Sequence, residues 1–452
     1  MMKRFFAILL AFSLGASLCG CGTTTTQPTL QPTDNGSGAP RELASAVYPD
    51  WPEYPDEQNY DQKKWEAWSE ANRERRMTEI GNESALRDWY ARSLALYLGG
   101  EEGENKVYSP VNIYLALAMC AELCAGESRA QILDLLGTES LDALRVQAGA
   151  VWKRLYQNDG ATVSIPAASF WLNEQIDYRQ DTLDKLAQNY YASSHAGQMG
   201  DPAYDQMLRD WLNEQTGGLL SQQAEGLRMN PKTVLALAAT LYYKSMWTNR
   251  FSSEESYSDT FHGAAGDTRT EYLHRESSGS YYWGERFSAV GQQLEGGMTM
   301  WFLLPDEGVT PEALTRDLEA LTFLLGAGGE WENQKFLRID CSLPKFDVSA
   351  DLDLSDGLKA MGVTDVFDPK RSDFSPLCEN ADGVCLSAAS HAARVKIDED
   401  GVEAAAYTVM LYAGSAMPPD ELIEFKVDRP FLFALSDGAG LLSFVGIVSH
   451  IG

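Results

Sequence analysis

The sequence predicts an α+β fold. The chain has 452 residues, of which 44% are hydrophobic, so it has ample apolar material for one large domain or two ordinary ones. It contains no internal repeat and no linker-like stretch in its middle. Strand-like and helical segments are scattered along it, without the strict alternation that is typical of a parallel doubly wound sheet. The α+β class is therefore favoured.

Each element is predicted from its local pattern of apolar residues. The strand-like segments are residues 163–172, 234–244, 298–304, 336–343 and 431–450. The helical segments are residues 85–98, 111–124, 180–191, 204–215 and 311–325. In the first of these helices Ser84 is the expected cap, and the apolar residues that share one face are Leu86, Tyr90, Leu94 and Tyr97.

Residues 394–417 are the most unusual stretch of the chain. An alternating strand that contains Val395 and Ile397 runs into acidic residues and glycine, and a long run of small or apolar residues follows without a basic side chain. Surface connections are normally short and polar, and a long one is usually functional or disordered. The low charge argues against disorder. The run has the composition of a strand, and the alternatives are a mobile surface loop or an ordinary edge strand.

Alternation divides this stretch into two faces, because successive side chains of a strand point to opposite sides. One face carries only small or β-branched residues, which are Val402, Ala404, Ala406 and Thr408. The other face carries Glu403, Ala405 and Tyr407. The first face is the one that suits burial.

One segment resembles the reactive-loop hinge of the serpins, a family of protease inhibitors: Glu399-Asp400-Gly401-Val402-Glu403-Ala404-Ala405-Ala406, followed by Thr408. Four further blocks resemble the same family in the same order. They are Val107-Tyr108-Ser109-Pro110-Val111-Asn112, Thr233 to Trp247, Phe302-Leu303-Leu304-Pro305 with Leu343-Pro344-Lys345-Phe346, and Asp428-Arg429-Pro430-Phe431. The resemblance covers residues 84–452. It implies the serpin fold, with three β-sheets, eight to nine helices and an exposed reactive loop.

The resemblance implies a suicide-substrate inhibitor of serine proteases. In this family a protease attacks the reactive loop and forms a covalent acyl-enzyme, and the freed part of the loop then inserts as a new central strand. Counting from Gly401 as the family does, the reactive bond joins Ser415 to Ala416. The small residues around this bond predict an elastase-like or subtilisin-like target. The alternative is a non-inhibitory serpin that acts as a cell-surface binding or adhesion module.

The resemblance also implies a hydrogen-bonded cluster at the place where the central sheet opens. The matching residues are Ser109, Asn112, Ala239 and His391. Because Ala239 replaces an asparagine of the family, Asn112 must supply the missing amide if the bond to His391 is to survive. Without it a buried polar group is left unpaired, at a cost of roughly 1–3 kcal/mol. Val402 also departs from the usual Thr or Ser, but it is uncharged and β-branched.

The N-terminus predicts export and lipid anchoring. An apolar run follows Lys3 and Arg4, and Leu18-Cys19-Gly20-Cys21 resembles the bacterial lipoprotein box, in which the thiol of the last cysteine, here Cys21, is acylated. We expect the protein at the extracellular face of a bacterial membrane, which it contacts only through this lipid. The alternative is a simple signal peptide and a secreted protein.

Four regions follow from these signals. Residues 1–20 are the predicted lipoprotein signal peptide, and residues 21–42 a flexible tether rich in Thr, Gln, Pro, Ser and Gly. Residues 43–83 are an extension whose many aromatic side chains are expected to pack against the domain. Residues 84–452 are the predicted serpin domain, which we expect to be a monomer.

Composition argues against several other functions. The net charge of −29 argues against nucleic acid and anionic membrane surfaces as partners. The five histidines show no metal-ligand spacing, so neither a metal nor a cofactor is expected. Ser342-Leu343-Pro344-Lys345 matches a Ser-x-x-Lys motif but lies on an alternating strand, so the chain is not expected to be an enzyme. Whether Cys378 and Cys385 form a disulfide is left open.

Overall fold

The structure is a computed structural model that describes residues 39–55, 60–231, 233–326, 331–386, 389–402 and 419–452. Its helices are α1 Gln62–Arg76, α2 Glu83–Tyr97, α3 Pro110–Leu123, α4 Gly126–Leu135, α5 Leu141–Leu155, α6 Gln180–Tyr190, α7 Pro202–Gln215, α8 Ser221–Ala224, α9 Pro311–Leu314, α10 Leu318–Leu325 and α11 Ser355–Ala360, with a 3₁₀ turn at Asp365–Phe367. Its strands are β1 Arg41–Ala44, β2 Lys106–Tyr108, β3 Gln157–Asn158, β4 Val163–Asn173, β5 Ala192–Gly197, β6 Leu235–Met246, β7 Tyr257–Gly263, β8 Gly266–Trp283, β9 Phe287–Gln293, β10 Met298–Pro305, β11 Gln334–Pro344, β12 Asp347–Asp353, β13 Ser390–Lys396, β14 Gly401–Val402, β15 Leu422–Lys426, β16 Phe431–Asp437 and β17 Leu442–Val448.

These strands form three hydrogen-bonded sheets within the described residues. Sheet I has the order β1-β5-β4-β6-β14, with β3 beside β4, and sheet II the order β15-β11-β8-β9-β10-β16-β17-β2, with β7 beside β8. Sheet III consists of β12 and β13. The pairs β4–β5 and β11–β15 are parallel, and the other pairs are antiparallel. The predicted α+β class with three sheets is confirmed.

The number of helices also agrees with the prediction. Helix α1 precedes residue 84, and α8 and α9 have only four residues each. The rest of the described chain contains eight α-helices, within the expected eight to nine.

Two segments predicted as single elements are divided in the structure. Residues 311–325 form α9 and α10 because Asp317 caps the second helix and accepts a hydrogen bond from the N–H of Ala320 (3.0 Å). Residues 431–450 form β16 and β17, joined by a turn in which Gly440 has φ +83° and no room for a Cβ beside the Leu325 carbonyl oxygen.

The predicted start of the first domain helix is wrong by two residues. Asn82, not Ser84, is the N-cap, since its Oδ1 accepts from the N–H of Ala85 at 3.2 Å and α2 begins at Glu83. Asn and Ser are equally good caps, so the preference of the residue type alone does not distinguish them.

Helix α3 is the centre of the core. Each of its residues except Ala116 is buried. The helix packs against α4, α5, α6, β6 and β17. A helix that is apolar on all sides is expected to be buried in this way, and α3 thereby fixes the position of its own N-terminus behind sheet I.

The aromatic-rich extension packs on the domain, as predicted. Its first strand, β1, begins at Arg41 and pairs antiparallel with β5. Residues 41 and 42, assigned to the tether from composition, are therefore part of sheet I. Tyr48 stacks on Trp152 at 5.8 Å between ring centroids, and the indole N–H of Trp68 donates to Asp159 at 2.8 Å. These contacts tie the extension to α5 and to the loop before β4.

The described cysteines and helices bear on the remaining expectations. All five cysteines in the described residues are free thiols, so Cys378 and Cys385 are not bridged. None of the described helices has the length and apolar character needed to cross a membrane. Within the same ranges no group of three or more His, Cys, Asp or Glu residues is placed to hold a metal ion.

Candidate functional site

The candidate site begins at the turn that follows β13. Oδ1 of Asp398 accepts hydrogen bonds from the N–H groups of Asp400 (3.0 Å) and Gly401 (3.2 Å). The N–H of Asp398 donates to the carbonyl oxygen of Gly401 at 3.0 Å. Aspartate favours such turns because its short carboxylate reaches the backbone two or three residues ahead. The turn reverses the chain and directs β14 back towards β6.

Strand β14 lies between β6 and the residue that follows β13. It runs antiparallel to β6, with Gly401 opposite Met246 and Val402 opposite Ser245, and Val402 also forms a bridge with Ile397. The side chain of Val402 is 3% exposed and belongs to a buried apolar cluster. The first residues of the predicted hinge are therefore part of sheet I.

Gly401 is needed because two backbones approach closely at this point. A Cβ at this position would overlap the carbonyl oxygen of Ser245 on β6. The constraint is one of space and not of a left-handed backbone conformation. Glycine is commonly found where another backbone comes this near.

The end of β6 holds the turn through its backbone and its tryptophan. The indole N–H of Trp247 donates to the carbonyl oxygen of Asp398, and its backbone N–H donates to that of Asp400, both at 2.9 Å. The N–H of Phe251 donates to the carbonyl oxygen of Glu399 at 3.2 Å. The acidic turn is thus fixed by backbone geometry as well as by charge.

Two ion pairs add to these contacts. The carboxylate of Glu399 lies 2.6 Å from Nζ of Lys345 and accepts a hydrogen bond from the hydroxyl of Ser256 at 3.1 Å. Partial burial acts to raise the pKa of Glu399, but the hydrogen bonds from Lys345 and Ser256 outweigh it and hold this pKa below its usual value. Asp400 lies 3.6 Å from the guanidinium of Arg250.

Away from the end where Val402 pairs with β6, strands β6 and β13 lie next to each other but belong to separate sheets. In the described part of the chain β6 pairs with β4 and β14, whereas β13 pairs with β12. We call the space between β6 and β13 the slot. The upper end of the slot, where Val402 pairs with β6, is occupied by β14. A strand that continued β14 beyond Val402 would therefore lie between β6 and β13.

The N-terminus of α3 cross-links the two sides of the slot. The backbone N–H of Ser109 donates to Nε2 of His391 on β13 at 2.9 Å. The side-chain amide of Asn112 donates to the carbonyl oxygen of Ala239 on β6 at 3.2 Å. Ser109 caps the helix through a 3.2 Å hydrogen bond from the N–H of Asn112 to its hydroxyl.

The structure therefore brings Ser109, Asn112, Ala239 and His391 together, but not in the predicted way. The amide of Asn112 bonds to the backbone of β6, and it is the N–H of Ser109 that meets His391. Alanine at 239 has no polar side-chain group to accept a hydrogen bond, so Asn112 donates to the backbone carbonyl at that position. Burial lowers the pKa of His391 from 6.5 to about 4, and its Nε2 is thus a neutral acceptor at pH 7.

A cavity of about 100 Å³ lies beside this cluster. It is lined by Asn112, Ala239 and His391 and by apolar side chains of α3 and β6, among them Leu117 and Leu237. The packing beside this cluster is thus incomplete, in contrast to the filled interiors that are normal in proteins.

Several predicted site residues lie outside the described residues. They are Glu403, Ala404, Ala405, Ala406 and Thr408 of the hinge, Ser415 and Ala416 of the reactive bond, and Cys21 of the lipidation site.

Three supports of the hinge were not identified from the sequence. Trp247 and Lys345 lie in segments that carry the family resemblance. The sequence of these segments does not show that they contact the turn after β13, which is far away in the chain. Asp398 had a local signal, since an aspartate three residues before a glycine in a polar run is typical of a turn.

Comparisons with known proteins agree with this geometry. A sequence model of the family described as Serpin (serine protease inhibitor) matches residues 91–451. The chain is 25% identical to Serpin-ZX of Arabidopsis thaliana over 77% of this chain and 92% of that protein. It is 26% identical to the plasma serine protease inhibitor of Mus musculus over 80% of this chain and 89% of that protein.

A solved structure shows the same fold. The native state of the thermophilic serpin tengpin superimposes with a TM-score of 0.71, at 23% identity, over 88% of this chain and 97% of tengpin. The family model spans well over half of the chain. The chain therefore belongs to the serpin (serine protease inhibitor) family.

Proposed function

We propose that the protein is a suicide-substrate inhibitor of elastase-like or subtilisin-like serine proteases, with Ser415–Ala416 as its reactive bond. The observation that carries this proposal is the position of Val402, buried at the head of the slot and paired with Ser245. A loop that begins as a strand of sheet I is already directed into the place where insertion would occur.

The register of β14 supports the proposed alternation of the inserting residues. If the pairing of Val402 with Ser245 continues down β6, Ala404 falls opposite Tyr243, Ala406 opposite Leu241 and Thr408 opposite Ala239. Directly opposed residues share a face of a sheet. Tyr243 is 5% exposed, and Leu241 and Ala239 pack against the core, so the even-numbered side chains would enter the interior.

The insertion would release a large free energy. A new central strand forms many hydrogen bonds, each worth roughly 1 kcal/mol net, and buries apolar side chains as well, for a total on the order of 10 kcal/mol. The intact state would then be held kinetically by the contacts that keep the slot closed. The links from α3 to Ala239 and His391 are the strongest candidates for this role.

The structure bears on the alternative of a non-inhibitory serpin. Val402 departs from the Thr or Ser that the family usually has at the first inserting position, and in a non-inhibitory serpin this departure would slow insertion. Its side chain is buried beside Ser245, so a valine is accommodated at the first inserting position. This observation favours the inhibitor.

We also propose that the chain is a lipid-anchored monomer on the extracellular face of a bacterial membrane, or is secreted. The lipoprotein-like segment that ends at Cys21 supports this proposal. The net charge of −29 argues against nucleic acids and anionic membrane surfaces as partners.

We expect an elastase-type protease to form a covalent adduct that survives denaturing electrophoresis. Trypsin should form none, because the chain has no Lys or Arg between Lys396 and Lys426 and the acidic pocket of trypsin would meet no cation. Ser415→Arg should transfer adduct formation to trypsin. Association of the unmodified protein with trypsin faster than about 10⁵ M⁻¹s⁻¹ would contradict the proposal. Loop cleavage without any adduct would favour the binding module.

We expect Ala406→Glu to convert the inhibitor into a substrate while the intact protein still folds. The inserting carboxylate would have to leave water, at a cost of several kcal/mol, so insertion would be slower than hydrolysis of the acyl-enzyme. Tyr407→Glu is the matched control, since the neighbouring side chain faces the other side. The measurement is the ratio of adduct to cleaved protein, and an equal loss in both variants would show that the proposed alternation is wrong.

We expect cleavage within residues 409–417 to raise the thermal stability of the protein. A cut in an ordinary surface loop is neutral or destabilising. Here it would free the hinge to insert, and a gain on the order of 10 kcal/mol corresponds to an increase in Tm of more than roughly 20 °C. Melting curves of intact and nicked protein that agree within a few degrees would rule out insertion.

We expect His391 to make the intact protein less stable in acid. Above pH 6.5 its ring is neutral in the folded and unfolded states. Between pH 6.5 and about 4 the unfolded chain takes up the proton first, so the free energy of unfolding falls by up to about 3 kcal/mol. His391→Gln, which keeps an acceptor for Ser109, should reduce the loss of Tm between pH 7 and 4.5. An unchanged pH profile would exclude His391 as the cause.

A further inference from the structure

We propose that the protein has a binding site for small organic carboxylates, separate from the slot. The site is a cavity of about 220 Å³ between β8, β9 and β11. Its lining combines the polar side chains of Arg275, Ser277 and Gln292 with the apolar side chains of Val290 and Ile339. A ligand with a charged head and a hydrocarbon body needs both kinds of side chain in its pocket.

The positive charge in this cavity, Arg275, forms no ion pair with a carboxylate among the described residues. Arg275 donates to Oε1 of Gln292 at 2.6 Å and to the carbonyl oxygens of Asn249 and Arg250. Its Cζ lies 4.5 Å from the centre of the Phe251 ring. All of these partners are neutral, and none of the ion pairs in the described chain includes Arg275.

One donor of this guanidinium is unused. Nε of Arg275 is buried and has no hydrogen-bond partner among the described residues. Partial burial lowers the pKa of Arg275 below its usual value, although the charge of Glu255 acts in the opposite direction. Charges that are removed from water in proteins are normally paired, so a partly buried guanidinium without an ion pair at the wall of a cavity favours an anionic ligand.

The side chains of β8 indicate which kind of anion the cavity would bind. Ser277 lies two residues beyond Arg275 on a regular strand, so both side chains lie on the same face. A carboxylate can accept from the guanidinium and from a neighbouring hydroxyl at once. The buried side chains of Val290 and Ile339 suit a small ring or a short alkyl chain better than an inorganic anion.

The cavity is also connected to the hinge. Arg275 holds the carbonyl oxygens of residues 249 and 250, and the same segment binds the hinge turn through Arg250 to Asp400 and Phe251 to Glu399. A bound carboxylate would fix Arg275 and, through it, this segment. Binding should therefore increase the thermal stability of the intact protein.

The test uses the full chain and sodium benzoate as the probe, with sodium chloride at equal ionic strength and neutral benzamide as references. We expect saturable binding of benzoate by calorimetry and an increase in Tm that follows it. Benzamide should bind at least about tenfold more weakly, because it lacks the charge. No saturable binding of benzoate up to about 10 mM, or equal affinity for benzamide, would overturn the proposal.

Variants at Ser277 locate the site without removing Arg275. Ser277→Asp supplies an internal carboxylate beside the guanidinium, so it should raise Tm in the absence of ligand and weaken benzoate binding by about tenfold or more. Ser277→Asn has nearly the same shape without the charge and should keep the affinity within about threefold. Unchanged benzoate binding by Ser277→Asp would show that the ligand lies elsewhere, whatever the outcome of the protease experiments.

Discussion

The site depends on one constraint: β6 and β13 lie side by side but belong to different sheets. Backbone N–H and C=O groups in a protein interior need partners, and a strand placed between these two would supply them along its whole length. Two sets of contacts hold this arrangement in place. Strand β14 occupies the upper end, and α3 reaches both sides lower down through Ser109 and Asn112.

The contacts of the hinge turn differ in what each contributes. The ion pair of Arg250 with Asp400 is long and partly exposed, and such pairs stabilise by at most about 1 kcal/mol. The pairing of Gly401 and Val402 with β6 and the hydrogen bonds from Trp247 are fixed by backbone geometry and do not weaken with salt. The charges thus adjust the turn, whereas the backbone determines where β14 joins sheet I.

Local patterns predicted most of the elements near the site, because β4, β6 and α3 are long and strongly apolar and α7 is amphipathic. The family resemblance led to Ser109, Asn112 and His391, which the fold brings together. What the sequence did not reveal depends on distant contacts. The bond from Asn112 goes to a backbone carbonyl, which leaves no trace in the identity of a side chain. The unpaired charge of Arg275 likewise becomes visible only when its neighbours are known.

Strand β1 affects how readily this protein aggregates with other copies of itself. An unpaired edge strand is a template on which another chain can add and begin to aggregate. The extension covers the edge of β5 with β1, which has only four residues, and its pairing is irregular between Glu42 and Ala44. A short, distorted edge offers little to a foreign strand. The exposed margin of sheet I is thereby blunted, and the slot is left as the place where this sheet would accept a further strand in the mechanism that we propose.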